Sequence, residues 1–224
     1  LNNSSVVFEL KNDINLETSS AFDINLIQEL YEQKLVDKDK FIVCNGYKRQ
    51  QYIENIVNLY NDGWHNVVPI LDNRNEYHSL DSLLTDPEVP MKIGIRIAAE
   101  EEPRFEFYTS RLGIRYNDIV PFYNEKIKNS SKFELKMLHF FINTGIRDTA
   151  YYWNELAKCV NVYCDLKRVC PDLDSLNIGG GFPCKTSLAA TYDYEYMAEE
   201  VLAQIKAICT NRGVEEPNIF TEFG

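Results

Sequence analysis

No apolar run in this 224-residue chain approaches the roughly 18 residues of a membrane-spanning helix, and no signal-peptide pattern opens it. Positive charge is in deficit: Lys and Arg number 23 against 34 Asp and Glu, a formal net charge of -11. Nucleic-acid binding relies on Lys and Arg to neutralise phosphates, so that partner class is disfavoured. Docking on an anionic membrane surface is disfavoured for the same reason. The six cysteines (Cys44, Cys159, Cys164, Cys170, Cys184 and Cys209) include no CxxC pair, and no histidine stands at zinc-finger spacing. Several fall in apolar periodic stretches and read as buried free thiols. That predicts no metal site and a reducing, cytoplasmic setting. HExxH, the P-loop signature and a Ser-His-Asp order are also absent. Gly and Pro are ordinary at 10 and 8, with no linker or low-complexity tract. The chain starts at Leu1 and stops at Gly224 inside a strand-like run, so both ends read as cut and the chain as an internal piece of a longer protein.

What the chain does have, at 45% apolar and 25% charged residues, is a globular composition and a regular alternation of two segment types. Short β-rich runs occur at 14–19, 41–46, 66–72, 91–98, 135–143, 173–179 and 218–222. Between them, apolar residues at helical spacing predict helices around Ile24–Tyr31, Ile53–Tyr60, Trp153–Cys164 and Tyr194–Ile208. Asp23 is a candidate N-cap for the first. Gly63 and Gly213 follow the second and the last at the position where glycine takes a left-handed cap conformation. Many β runs are apolar nearly throughout, as parallel strands covered by helices are. Such a βα series builds either a doubly wound sheet or a (β/α)8 barrel, and seven strands suit an open sheet or a barrel missing one. The charged connection 99–117, with Pro103, is longer than its peers.

In either fold, active sites gather where strands end. The ends here are polar or glycine-rich: Glu17 to Ser20, Asn45 to Lys48, Asp72-Asn73, Arg96, Asn143-Thr144-Gly145, Gly179-Gly180-Gly181 and Glu222. Three glycines after a strand let backbone N–H groups approach an anion such as phosphate; equally, they suit a tight turn needing positive φ. Thr144 stands in a second turn, where its hydroxyl is a donor to the same anion. Arg96, between Ile95 and Ile97, needs a partner, because an unpaired buried charge is costly. That partner is either a strand residue such as Glu17 or an anionic or phenolic ligand atom. Glu222 is either an arginine's partner or an acid facing a ligand nitrogen, which it would keep protonated. His139, amid apolar residues, reads as a core histidine. Tyr151-Tyr152-Trp153 reads as helix packing, and Glu100-Glu101-Glu102 as a solvated loop.

The ordered motifs LETSSAFDI, IVCNGYK, IGIRIA with SRLG, LHFFINTG, LNIGGGFP and TEFG cover practically the whole chain. In that order they resemble the pyridoxal-phosphate-dependent decarboxylases of the alanine-racemase-like barrel class. The likeness is greatest to biosynthetic arginine decarboxylases and more distant to ornithine and diaminopimelate decarboxylases. The resemblance implies an α/β fold, an incomplete (β/α)8 TIM barrel lacking its first strand. It implies pyridoxal 5'-phosphate held at its phosphate by Gly179, Gly180, Gly181 and Thr144. Glu222, from the start of the family's Glu-x-Gly-Arg motif, would pair with the pyridine nitrogen and serve catalysis by keeping the ring a good electron sink. Arg96 and Glu17 match a strand arginine and an early acid near the cofactor.

The resemblance has departures. The family's strand reads His-Phe-His-Leu-Gly-Ser, with the second histidine stacked on the ring; here Phe141 takes that place and His139 aligns with the first histidine. The Schiff-base lysine belongs before Leu1 and the C-terminal β domain after Gly224, so residues 1–224 would be a partial barrel, inactive alone. The whole protein is expected to convert an amino acid, arginine foremost, to its amine (agmatine) in polyamine synthesis, as a homodimer or larger assembly. Two rivals differ in class. One is a catalytically dead relative that binds partners, favoured by Phe141; the other is an unrelated phosphate-binding barrel, which explains the glycines but not the motif order.

Overall fold

The computed structural model describes residues 9–10, 13–99, 112–142, 145–183 and 192–222. Among them are seven strands: β1 (Leu16–Thr18), β2 (Ile42–Cys44), β3 (Val67–Leu71), β4 (Met91–Arg96), β5 (Phe133–His139), β6 (Ser175–Asn177) and β7 (Asn218–Phe220). Each overlaps one of the β-rich runs of the sequence. Strand order follows chain order, β1 to β7. A doubly wound sheet reverses its order at a switch point; sequential order without reversal is that of a (β/α) barrel. The fold is therefore α/β, with the strand sequence of an incomplete TIM barrel.

The described helices are α1 (Ala21–Glu32), α2 (Gln50–Asn61), α3 (Arg74–Leu83), α4 (Tyr116–Phe122), α5 (Ala150–Lys167) and α6 (Tyr194–Arg212). The chain divides into two compact units, one of residues 1–94 with 130–134 and one of 95–129 with 135–224.

In the first unit β1, β2 and β3 pair in parallel, with Thr18 opposite Cys44 and Cys44 opposite Pro69. Every residue of β2 and β3 is buried, so these strands are covered on both faces. The cap of α1 differs from the expectation. Ser20 is the N-cap, and Asp23 sits three residues on, its carboxylate accepting the N–H groups of Ser19 and Ser20, both at 2.9 Å. This is the reciprocal end of a capping box, which Ser-x-x-Asp satisfies as Ser-x-x-Glu does. Gly63 closes α2 at φ +92°, donating to Tyr60 O at 3.0 Å. Helix α3, which the apolar spacing did not predict, is mostly polar. It buries Glu76, Tyr77 and Leu80 and starts at an Asn73 cap that accepts the N–H groups of Asn75 and Glu76.

In the second unit β5, β6 and β7 pair in parallel, with His139 opposite Asn177 and Asn177 opposite Phe220. Helix α5 buries Tyr152, Leu156, Cys159, Val160, Tyr163 and Cys164, a stripe at intervals of three and four. It packs on α6, whose Met197, Val201, Ile205 and Cys209 are buried at every fourth position. Gly213 ends α6 in the left-handed conformation. Helix α4 was also missed by its spacing. It carries Pro121 and passes into a π-helical turn at Tyr123–Ile127, since a proline removes one intrahelical hydrogen bond. Of the connection 99–117, residues 100–111 lie outside the described residues, as does the Glu100-Glu101-Glu102 run.

Cys44, Cys159, Cys164, Cys170 and Cys209 are buried free thiols, and Cys184 lies outside the described residues. Burial pushes the thiols of Cys44 and Cys209 up to about 11 and about 12, which makes them unreactive. Among the described residues no His, Cys, Asp or Glu cluster could hold a metal ion, and no helix is long and apolar enough to cross a membrane.

Candidate active site

Side chains of the second unit converge where β5, β6 and β7 end. His139, Asn177 and Phe220 share one row of the ladder, so Phe141, Gly179 and Glu222, each two residues further along, form the next. That next row continues past the strands: Glu222 N–H donates to Gly179 O at 3.0 Å. Phe140, between His139 and Phe141, points the other way and packs against Tyr152 of α5. Phe141 therefore faces away from the helix layer, on the same side as His139.

Asn177 joins the components. Its side chain is fully buried. The amide oxygen accepts Gly179 N–H at 2.8 Å, and the amide nitrogen donates to Glu222 Oε1 at 2.7 Å. An Asn accepting from the backbone two residues on is an Asx turn. Here that turn opens the glycine loop. The same Glu222 oxygen is 3.4 Å from His139 Nε2, inside ion-pair range but too long for a good hydrogen bond. Sequence reasoning passed over Asn177; an Asn between apolar strand residues just before a glycine run is the signal that marks it.

The glycines are required by backbone crowding. A Cβ on Gly179 would stand 2.7 Å from Phe140 O, one on Gly180 2.7 Å from Glu222 O, and one on Gly181 2.8 Å from Gly145 Cα. Gly179 and Gly181 also have positive φ, +71° and +94°. The turn reading is thus satisfied, and it does not displace the anion reading. Among the described residues no acceptor takes the N–H of Gly180 or Gly181, and Gly181 is exposed. Two successive backbone donors without a partner make an anion-binding concavity. Thr144 lies outside the described residues.

Arg96 ends β4 with its guanidinium 5.4 Å from the centre of the Phe141 ring, a cation–π contact. Glu17 belongs to the first unit, where it accepts from Asn45 Nδ2 at 3.2 Å. That unit has its own buried charge cluster at the ends of β2 and β3. Lys48 Nζ, fully buried, donates to Gly46 O at 2.8 Å and to Ile70 O, and lies 3.4 Å from Glu76 Oε2. Glu76 also accepts the N–H groups of Lys48 and Asp72, both at 2.9 Å. Burial raises the Glu76 carboxyl above its ordinary value, outweighing Lys48 and these two donors. Glu76 was not singled out in the sequence. Asn73-x-x-Glu76 is a helix-start pattern that would have found it.

A sequential βα strand order with a glycine turn, an acid and an aromatic ring at the strand ends defines a barrel-type cofactor-binding domain. The chain matches the family model described as pyridoxal-dependent decarboxylase, pyridoxal binding domain, over residues 6–224, and belongs to that family. It is 26% identical over 195 residues to a biosynthetic arginine decarboxylase of Citrifermentans bemidjiense, covering 82% of this chain and 31% of that protein. It spans about a third of the length of the curated relatives it matches. Among solved structures it resembles the biosynthetic arginine decarboxylase of Campylobacter jejuni, with TM-score 0.74 and 22% identity over 99% of this chain and 36% of the other. It also resembles the diaminopimelate decarboxylase of Helicobacter pylori complexed with L-lysine, with TM-score 0.75 and 18% identity over 98% of this chain and 53% of the other. These likenesses establish the fold.

The residues present fit pyridoxal phosphate. The N–H groups of Gly180 and Gly181, which no acceptor takes among the described residues, suit its phosphate, the half-buried Glu222 carboxylate its basic ring nitrogen, and the Phe141 face its flat ring.

Proposed function

We propose that the protein containing this chain decarboxylates an amino acid with pyridoxal 5'-phosphate, and that arginine, converted to agmatine, is the substrate. The observation that carries the reading is the buried Asn177 amide, which ties the donor-rich glycine turn to the Glu222 carboxylate in a chain of the pyridoxal-binding decarboxylase family. The arginine assignment draws support from relatives named as biosynthetic arginine decarboxylases. Ornithine and diaminopimelate are the alternative substrates.

The chemistry supplied by the bound cofactor is that of an electron sink for the pair left at the substrate α-carbon when CO2 departs. The chain's own residues bind and orient it. Gly180 and Gly181, with Thr144, hold the phosphate; Gly179, expected there too, has its N–H taken by Asn177 and shapes the turn instead. Glu222 holds a proton at the ring nitrogen, Phe141 covers the ring, and Arg96 stands against Phe141. The full protein works in the cytoplasm as a homodimer or larger assembly.

The test is the full-length protein, loaded with pyridoxal phosphate and supplied in turn with L-arginine, L-ornithine, L-lysine and diaminopimelate, with CO2 and amine measured. Agmatine formed fastest supports the assignment; another amine moves the substrate. A second reading, a catalytically dead relative, is favoured by Phe141 where the resembling family has histidine. It gains if no amine forms although the cofactor's visible absorbance shows binding.

A further inference from the structure

We infer that Asn177 is a positioning residue for Glu222: its amide, anchored on the glycine turn, presents a fixed N–H to the carboxylate and favours its ionised form. The inference rests on the reading of Glu222 as partner of the ring nitrogen.

Both ends of the amide are occupied, and the two contacts fix its orientation. A flip would set the amide NH2 against Gly179 N–H and the amide oxygen against the carboxylate, two contacts between like groups. The Gly179 bond at 2.8 Å therefore determines that a donor points at Glu222 Oε1, 2.7 Å away. A hydrogen bond to an ionised acceptor is roughly twice as strong as one to a neutral acceptor, so a fixed donor biases the carboxyl toward its anion.

His139 also faces the same oxygen, with Nε2 at 3.4 Å. Neither ring nitrogen of His139 has a hydrogen-bond partner among the described residues, so no second contact locks its tautomer. With the proton on Nε2 the histidine adds a weak donor; with the proton on Nδ1 it turns a lone pair toward the carboxylate. Asn177 is a donor in either case. The residue type follows: an aspartate could accept Gly179 N–H but would oppose Glu222, and a leucine could do neither. The amide also links the phosphate-binding end of the site to the ring-nitrogen end, so the turn that grips one sets the charge at the other.

The test uses the full-length protein labelled with 13C at glutamate carboxyls, without cofactor. The Glu222 signal is assigned by its loss in Glu222→Gln. Asn177→Asp keeps an acceptor for Gly179 and should raise the Glu222 midpoint by about one pH unit or more, because two adjacent carboxylates resist joint ionisation. Asn177→Ser keeps a hydroxyl acceptor for the turn, loses the reach to Glu222 and should raise the midpoint less. An unchanged midpoint in whichever variant folds overturns the inference. A second arm follows 15N-labelled pyridoxal phosphate in the loaded protein, where Glu222→Gln should lower the pH at which the ring nitrogen loses its proton. If the carboxyl midpoint moves while the ring signal ignores even Glu222→Gln, the positioning of Glu222 stands and the cofactor reading falls.

Discussion

Gly180 and Glu222 meet through their backbones. The space a Cβ would take at Gly180 ends 2.7 Å from the Glu222 carbonyl oxygen, and Glu222 N–H is held by Gly179 O at 3.0 Å. The turn that carries the free donors and the acid that follows β7 are therefore one structural piece. A change at the glycine is felt at the carboxylate through the backbone, and a Cβ there would also stand 3.5 Å from Glu222 Cβ.

Gly180→Ala in the full-length protein should thus weaken pyridoxal phosphate binding, and Gly180→Val should abolish it. Even one methyl must push the Glu222 backbone away, and the branched side chain also blocks approach to the Gly180 and Gly181 N–H groups. About a tenfold loss of affinity, equal to about 1.4 kcal/mol, is expected for alanine. Titration followed by the cofactor's visible absorbance measures it. Undiminished affinity in a folded variant would reduce the loop to a turn.

Glu222→Gln is a clean test of charge, because the glutamine oxygen can still accept from Asn177 Nδ2. The fold should be retained while turnover drops by about a hundredfold, or about 3 kcal/mol, the scale for losing one preorganised electrostatic group. Steady-state rates at saturating cofactor decide it. Wild-type turnover would remove Glu222 from catalysis and leave it a structural neighbour of His139.

The strands are legible in the sequence because buried parallel strands are continuous apolar runs, as Val67–Leu71 is. Helices α3 and α4 are not, for different reasons. Arg74–Leu83 buries a glutamate, so its stripe is not apolar, and Tyr116–Phe122 carries a proline that argues against a helix. At the site, Glu222 and the glycines stand out because each ends a run in polar or glycine character. Asn177 does not: its value lies in reaching Glu222, 45 residues away in sequence, which no local pattern reports. Asp23 shows the same limit on a smaller scale. A good capping residue is legible, but whether it stands at the cap or three residues inside depends on which serine precedes it.

Lys48 and Glu76 should matter to stability rather than to chemistry. Removing one member of a buried pair strands the other, so Lys48→Met should cost about 3–5 kcal/mol of unfolding free energy. In Glu76→Gln the new NH2 group would oppose the N–H of Lys48 or of Asp72, which both carboxylate oxygens now accept. The sign of the pH effect follows from burial. The folded Glu76 carboxyl binds its proton more tightly than the unfolded one, so its contribution is fully present below the unfolded pKa and shrinks as pH rises through the folded value. Urea unfolding of wild type and Glu76→Gln across the carboxylate range should show wild type losing ground as pH increases. A difference that grows with pH would mean that Lys48 outweighs desolvation.

Phe141 is the residue on which activity and mere binding divide. It faces away from α5, stacks with Arg96 at 5.4 Å and lies beside the glycine turn, where its Cδ2 would be 3.1 Å from a Cβ on Gly179. An aromatic face here supports a flat ring by dispersion and offset stacking without contributing a proton. Phe141→His should therefore be tolerated, since imidazole keeps a flat face of similar reach. Phe141→Ala should lose both the ring contact and the Arg96 contact, the latter worth about 0.5–1 kcal/mol at an accessible site, and bind the cofactor several-fold more weakly. Arg96→Met separates the two losses: it removes the cation and keeps an apolar arm against the ring. Cofactor titration of the three full-length variants should rank Phe141→His nearest wild type, Arg96→Met next and Phe141→Ala last. If Phe141→Ala binds as wild type does, the ring is held from elsewhere, and the assignment of Thr144, which rests on its three-residue spacing from Phe141 in the sequence, loses its support.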